Sequence, residues 1–127
     1  MLPETERLTL SHVFIVENEQ IVAEDLRQIL LKKGFVSVSL FSSGEEALEE
    51  SQRHPPDLIL MDINLKRGID GITTGERLMA KRYVPILFIT AYTDEETLER
   101  AKSLRPYGYI IKPIEERGLL INVEMAL

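Results

Sequence analysis

The chain has 127 residues, 44% of them hydrophobic, no cysteine and a net charge of −6. That length suits one domain with one substantial core, and the lack of cysteine excludes disulfides and thiolate metal centres. The acidic balance argues against direct nucleic-acid binding, whose affinity comes largely from phosphate contacts, so any output onto DNA is expected to lie in another domain or partner. No apolar run approaches the ~20 residues of a membrane helix, and Met1 to Ser11 lacks the apolar stretch of a secretion signal. A cytoplasmic protein that does not engage the membrane is the expectation.

Val13-Phe14-Ile15-Val16 is the first short apolar run, followed by Glu17-Asn18-Glu19. Ile21-Val22, Leu26 and Ile29-Leu30 then recur at spacings of three and four, the signature of one helical face, and Gly34 stands where such a helix stops. Between Val36 and Phe41, apolar residues alternate with Ser37 and Ser39, which predicts a half-exposed strand at a sheet edge. Ser43-Gly44-Glu45-Glu46 has the form of a capping box and opens a short helix, which His54-Pro55-Pro56-Asp57 ends. The second run, Leu58-Ile59-Leu60-Met61, ends in Asp62. A loop over 64–71, marked by Lys66-Arg67-Gly68 and Asp70-Gly71, leads to a helical stripe through Ile72, Gly75, Leu78 and Met79 that ends near Tyr83.

Pro85 precedes the third run, Ile86-Leu87-Phe88-Ile89, which ends in Thr90. Thr93-Asp94-Glu95-Glu96 is a second capping box, opening a helix through Leu98, Ala101 and Leu104 that Pro106 stops. Tyr109-Ile110-Ile111 ends in Lys112-Pro113, and Leu119-Leu120, Val123 and Ala126-Leu127 form the last stripe. That stripe has no glycine, asparagine or proline stop, so the natural protein is expected to continue after Leu127.

Short continuous apolar runs between helical patterns read as strands buried on both faces. Strand and helix alternate five times, which implies one doubly wound α/β domain with a parallel sheet and right-handed crossovers. Open parallel sheets bind ligands beyond the carboxyl ends of their strands. The chain therefore gathers an acidic cluster, Asp62, a hydroxyl and an ammonium at one sheet edge, a set suited to a metal ion and a phosphoryl group.

From Ser11 to Leu127 the chain resembles a receiver domain of two-component response regulators. The resemblance rests on Glu17-Asn18-Glu19, Met61-Asp62, Thr90-Ala91 and Lys112-Pro113 at the ends of the first, third, fourth and fifth strands. It implies a flavodoxin-like (βα)5 fold with strand order 2-1-3-4-5. It also implies that Asp62 is the phosphoacceptor, that Thr90 and Tyr109 are the switch pair, and that Lys112 pairs with the phosphoryl group across a Lys112–Pro113 bond that is a candidate for cis. Magnesium would be held by Glu17, Asn18, Asp62 and the backbone carbonyl of Asn64. A sensor histidine kinase or phosphotransfer protein would supply the phosphoryl group. An output domain or partner would receive the change, and a homodimer would form through the fourth helix, fifth strand and fifth helix of the (βα)5 unit.

The chain departs from the family at Asn18, where an acid is usual. An amide brings no negative charge, so weak magnesium binding is expected. The alternative is an interaction module of the same fold that no longer depends on phosphorylation. Asn64 and Tyr92 fall where the family tunes acyl-phosphate lifetime, and Gly71 fits the turn into the third helix. Glu19 is read as a helix N-terminal charge, and His12 and His54 as structural or surface residues. An aspartate-nucleophile phosphatase is disfavoured, since Asn64 replaces the second acid those enzymes carry. A dinucleotide site is disfavoured because the first turn lacks glycine. The domain is therefore expected to act only in its own phosphorylation and dephosphorylation.

Overall fold

The structure, a computed structural model, describes residues 2–91 and 95–127. Five parallel strands, β1 (His12–Val16), β2 (Ser37–Phe41), β3 (Leu58–Asp62), β4 (Ile86–Thr90) and β5 (Gly108–Ile111), lie in the order β2-β1-β3-β4-β5. The helices are α1 (Glu4–Leu10), α2 (Gln20–Lys33), α3 (Gly44–Arg53), α4 (Gly71–Lys81), α5 (Glu95–Lys102) and α6 (Glu116–Ala126). This is the doubly wound arrangement that the alternation implied.

The central strands are continuous apolar runs because helices cover both their faces. Val13, Ile15, Leu58, Leu60, Leu87, Ile89 and Ile110 point to one side, packing with Leu26 and Leu30 of α2 and Leu119 and Val123 of α6. Phe14, Val16, Ile59, Met61, Ile86 and Phe88 point to the other, against Ala47 of α3, Leu78 of α4 and Ala101 of α5. Every residue of β3 and β4 is buried. β2 lies at the sheet edge, where Val38 and Phe41 are half-buried and Leu40 is 37% exposed.

Several termini follow the expected local chemistry. Gly34 ends α2 with φ +130°, and its N–H reaches the Leu30 carbonyl. The Ser43 hydroxyl accepts from the Glu46 N–H at 3.3 Å. The Glu46 carboxylate accepts from the Ser42 N–H, so the capping box closes one residue earlier than its motif suggests. α5 ends at Lys102, two residues before the expected Leu104.

The sequence reading has no counterpart for α1. This seven-residue helix starts after Pro3 and buries Leu8 to 3% exposure in the α2/α6 core. It sits at the end of the sheet opposite the carboxyl ends of the strands. Lys33 at the end of α2 reaches Glu124 of α6 at 3.0 Å and Glu4 of α1 at 4.0 Å. Glu19 occupies the N-cap position of α2 without a side-chain capping bond. His12 contacts the Ser39 hydroxyl and the Phe14 ring edge, and His54 pairs with Glu50 on the surface.

Candidate phosphoryl-acceptor site

The sheet register builds the site. Val16 lies opposite Met61, so Glu17, one residue on, comes level with Asp62 at the end of β3. Asp62 is opposite Ile89 and Thr90 is opposite Ile111. The Lys112 N–H donates to the Thr90 carbonyl at 2.9 Å. Side chains alternate along a strand, so Glu17, Asp62 and Lys112 continue the series that faces α2 and α6. Thr90 continues the series of Ile86 and Phe88, on the side of α3, α4 and α5.

Glu17 and Asp62 are almost sealed from solvent, at 2% and 3% exposure. Lys112 places its Nζ 3.6 Å from Asp62 Oδ2 and 3.9 Å from Glu17 Oε1. The other Asp62 oxygen, Oδ1, accepts from the Asn64 N–H at 3.0 Å. Burial pushes the Glu17 carboxyl up to about 8. The adjacent Asp62 adds to this, through the hydrogen bond a protonated Glu17 shares with it and through its charge, while Lys112 pulls the other way. Ionised, neither Glu17 oxygen has a hydrogen-bond donor among the described residues, and the buried Asn18 Oδ1 also has none. Buried acceptors without donors are costly.

The unmet Glu17 oxygens beside Asp62 are hard donors of the kind a magnesium ion takes. Among the described residues no three acids, histidines or cysteines gather to hold a metal.

Thr90 is buried at 5% exposure. Tyr109 is half-buried on the same side of the sheet, its ring stacked on Phe88 at 6.3 Å between centroids. Its hydroxyl is buried without a partner among the described residues, and burial raises its pKa. The Lys112–Pro113 bond is cis. Tyr92, Thr93 and Asp94, including the start of the second capping box, lie outside the described residues. A cleft of about 630 Å³ opens beside Lys112, walled by Ile21, Val22, Pro113 and Ile114.

The loop after Asp62 folds back onto it. The Gly71 N–H donates to the Ile63 carbonyl at 3.0 Å, and a Cβ at Gly71 would collide with the Asp62 carbonyl oxygen. Only glycine fits that approach. Asp70 caps α4 by accepting from the Thr73 N–H at 2.7 Å and also meets Arg100 of α5 at 3.2 Å. The sequence marks neither role: Asp70 is visible only as half of a loop marker, and Arg100 carries no local signal.

The sequence pattern of the response regulator receiver domain matches residues 13–124. The transcriptional regulatory protein PdtaR of Mycobacterium tuberculosis is 33% identical over 115 residues, covering 91% of this chain and 56% of PdtaR. The sensory transduction protein RegX3 of Mycolicibacterium smegmatis is 30% identical over 118 residues, 93% of this chain and 51% of RegX3. The chain thus spans about half the length of these relatives. Among solved structures, the signal receiver domain of a modulated diguanylate cyclase from Desulfovibrio desulfuricans is 40% identical with a TM-score of 0.86, covering 92% of this chain and 93% of that one. Glu17, Asp62, Thr90 and Lys112 all fall inside the matched span, and the chain belongs to the family of response regulator receiver domains.

Proposed function

We propose that this domain is a phosphorylation-dependent switch whose acceptor is Asp62. Response regulators work with histidine kinases and output domains, and receiver domains generally bind Mg2+ at the phosphorylation site. The observation that carries the reading is a sealed Asp62 with an ammonium 3.6 Å away and, beside it, Glu17 oxygens that have no donor among the described residues.

One Asp62 oxygen attacks the phosphorus of a phosphohistidine on a sensor kinase or phosphotransfer protein. An O–P bond forms, the N–P bond breaks, and the electron pair returns to the imidazole, which then takes up a proton. Lys112 meets an oxygen of the transferred group as a mobile point charge. The Thr90 hydroxyl donates to another oxygen, and the Tyr109 ring follows Thr90. Glu17, Asp62, the Asn18 amide oxygen and the Asn64 carbonyl would hold Mg2+. Bound there, Mg2+ supplies the charge neutralisation that transfer between anions needs. The domain acts on its own aspartate alone. Its output lies in another domain of the same protein or in a partner, reached through the α5–β5–α6 face, where Tyr107, Ile111 and Ile121 are exposed. A second copy would pair through this same face.

Intact mass after incubation with acetyl phosphate tests this reading. One added phosphoryl group is expected, dependent on Mg2+ and absent in Asp62→Ala. An equal gain in Asp62→Ala overturns it. Asn18 favours a second reading, a phosphate-independent interaction module, and failure of the wild-type chain to bind Mg2+ in large excess selects that one.

A further inference from the structure

We propose that Asp70 and Arg100 form a latch that ties α5 to the acceptor loop and holds the domain in its free-aspartate arrangement. The inference rests on the phosphorylation switch above for its meaning and on geometry for its existence.

The loop over 63–70 connects Asp62 directly to α4. The Asn64 N–H ties its start to Asp62 Oδ1, and the Gly71 N–H closes its far end on the Ile63 carbonyl. Asp70 closes this loop and divides its carboxylate. Oδ1 caps α4 through the Thr73 N–H, and Oδ2 takes Arg100 Nη1, thirty residues away. Arg100 belongs to the helix that follows β4 and Thr90. One carboxylate therefore joins the segment leaving the acceptor to the segment leaving the switch strand.

α5 is lightly anchored. Ala101 is its one buried residue, with Leu98 half-buried beside it in the same core. A helix that buries so little apolar surface has a position that polar contacts such as Arg100–Asp70 can bias. In this arrangement Lys112 Nζ lies 3.6 Å from Asp62 and 3.9 Å from Glu17, contacts that pairing with a transferred phosphoryl group would replace. A contact present in one of two arrangements shifts their populations by its own differential strength, and the effect is reciprocal between the acceptor and α5.

Asp70→Asn removes the charge pair while keeping an equally good N-cap, and Arg100→Ala removes the other partner. Each is expected to speed phosphoryl uptake from acetyl phosphate by about two- to fivefold, the range for a half-exposed pair. The double variant is expected to be no faster than either single one, and Arg100→Lys to stay near wild type. Rates equal to wild type, or a double variant whose gains multiply, overturn the latch. Amide exchange is the second measurement and needs no phosphoryl group: residues 95–102 are expected to exchange faster in both variants, with the β3 and β4 amides unchanged. Unaltered α5 exchange overturns the latch even if Asp62 accepts phosphate. A wild-type chain that takes no phosphoryl group while α5 exchange responds leaves the latch standing and overturns the switch.

Discussion

The two ends of the sheet treat charge in opposite ways. At the end away from the site, Glu124 is held below the usual carboxylate range by a hydrogen bond with Glu4 and then by Lys33, whose own pKa rises in return. At the carboxyl end, Glu17 is pushed up to about 8 by burial beside a second acid. Both glutamates have a lysine nearby. One is solvated and satisfied, while the other is sealed and short of partners. Environment alone decides that the first set is a fastening and gives the second the perturbed titration typical of functional sites.

Leu8→Ala tests the fastening. It is expected to lower stability by about 2.5 kcal/mol, the lower part of the range for a buried leucine because a terminal helix can resettle. The urea midpoint reads this, with phosphoryl uptake unchanged in the folded protein. An unmoved midpoint would mean that α1 adds nothing. Asn18→Asp sharpens the other side of the contrast. A third carboxylate is expected to tighten Mg2+ about tenfold, or ~1.4 kcal/mol, measured by calorimetric titration. Unchanged affinity would remove Asn18 from the metal site.

Acid unfolding probes a carboxylate of the loop that follows Asp62. Burial raises the Asp70 pKa, but the donors of Thr73 and the Arg100 guanidinium outweigh it, so the net shift is below the ordinary 3.8. A lowered folded value means that its contribution is whole above 3.8 and is lost as pH falls through the folded value. The stability gap between wild type and Asp70→Asn should therefore be open at neutral pH and narrow below pH 3.8. A gap that widens in acid would contradict this. Lys33→Ala should have the smallest effect, a slight drop in thermal midpoint that fades with added salt. A salt-independent drop would point to packing by the lysine stem instead.

The sequence exposes the parts of this molecule that repeat locally. Buried strands announce themselves as unbroken apolar runs, and β2 shows its edge position through its serines. The ends of those runs mark Glu17, Asp62, Thr90 and Lys112 because a parallel sheet aligns its carboxyl ends whatever the loops do. α1 stays hidden because two turns with one buried leucine establish no period. The Asp70–Arg100 bond stays hidden because neither residue carries a local signal for a partner thirty positions away. The packing of Tyr109 depends on Phe88 on the neighbouring strand, which only the register reveals.

The sheet is an opaque wall between two interiors. The apolar side chains facing α2 and α6 form one cluster and those facing α3, α4 and α5 another, with the sheet between them. Repacking around Phe88 and Tyr109 therefore changes the neighbours of Thr90 directly, and those of Glu17, Asp62 and Lys112 only from across the sheet.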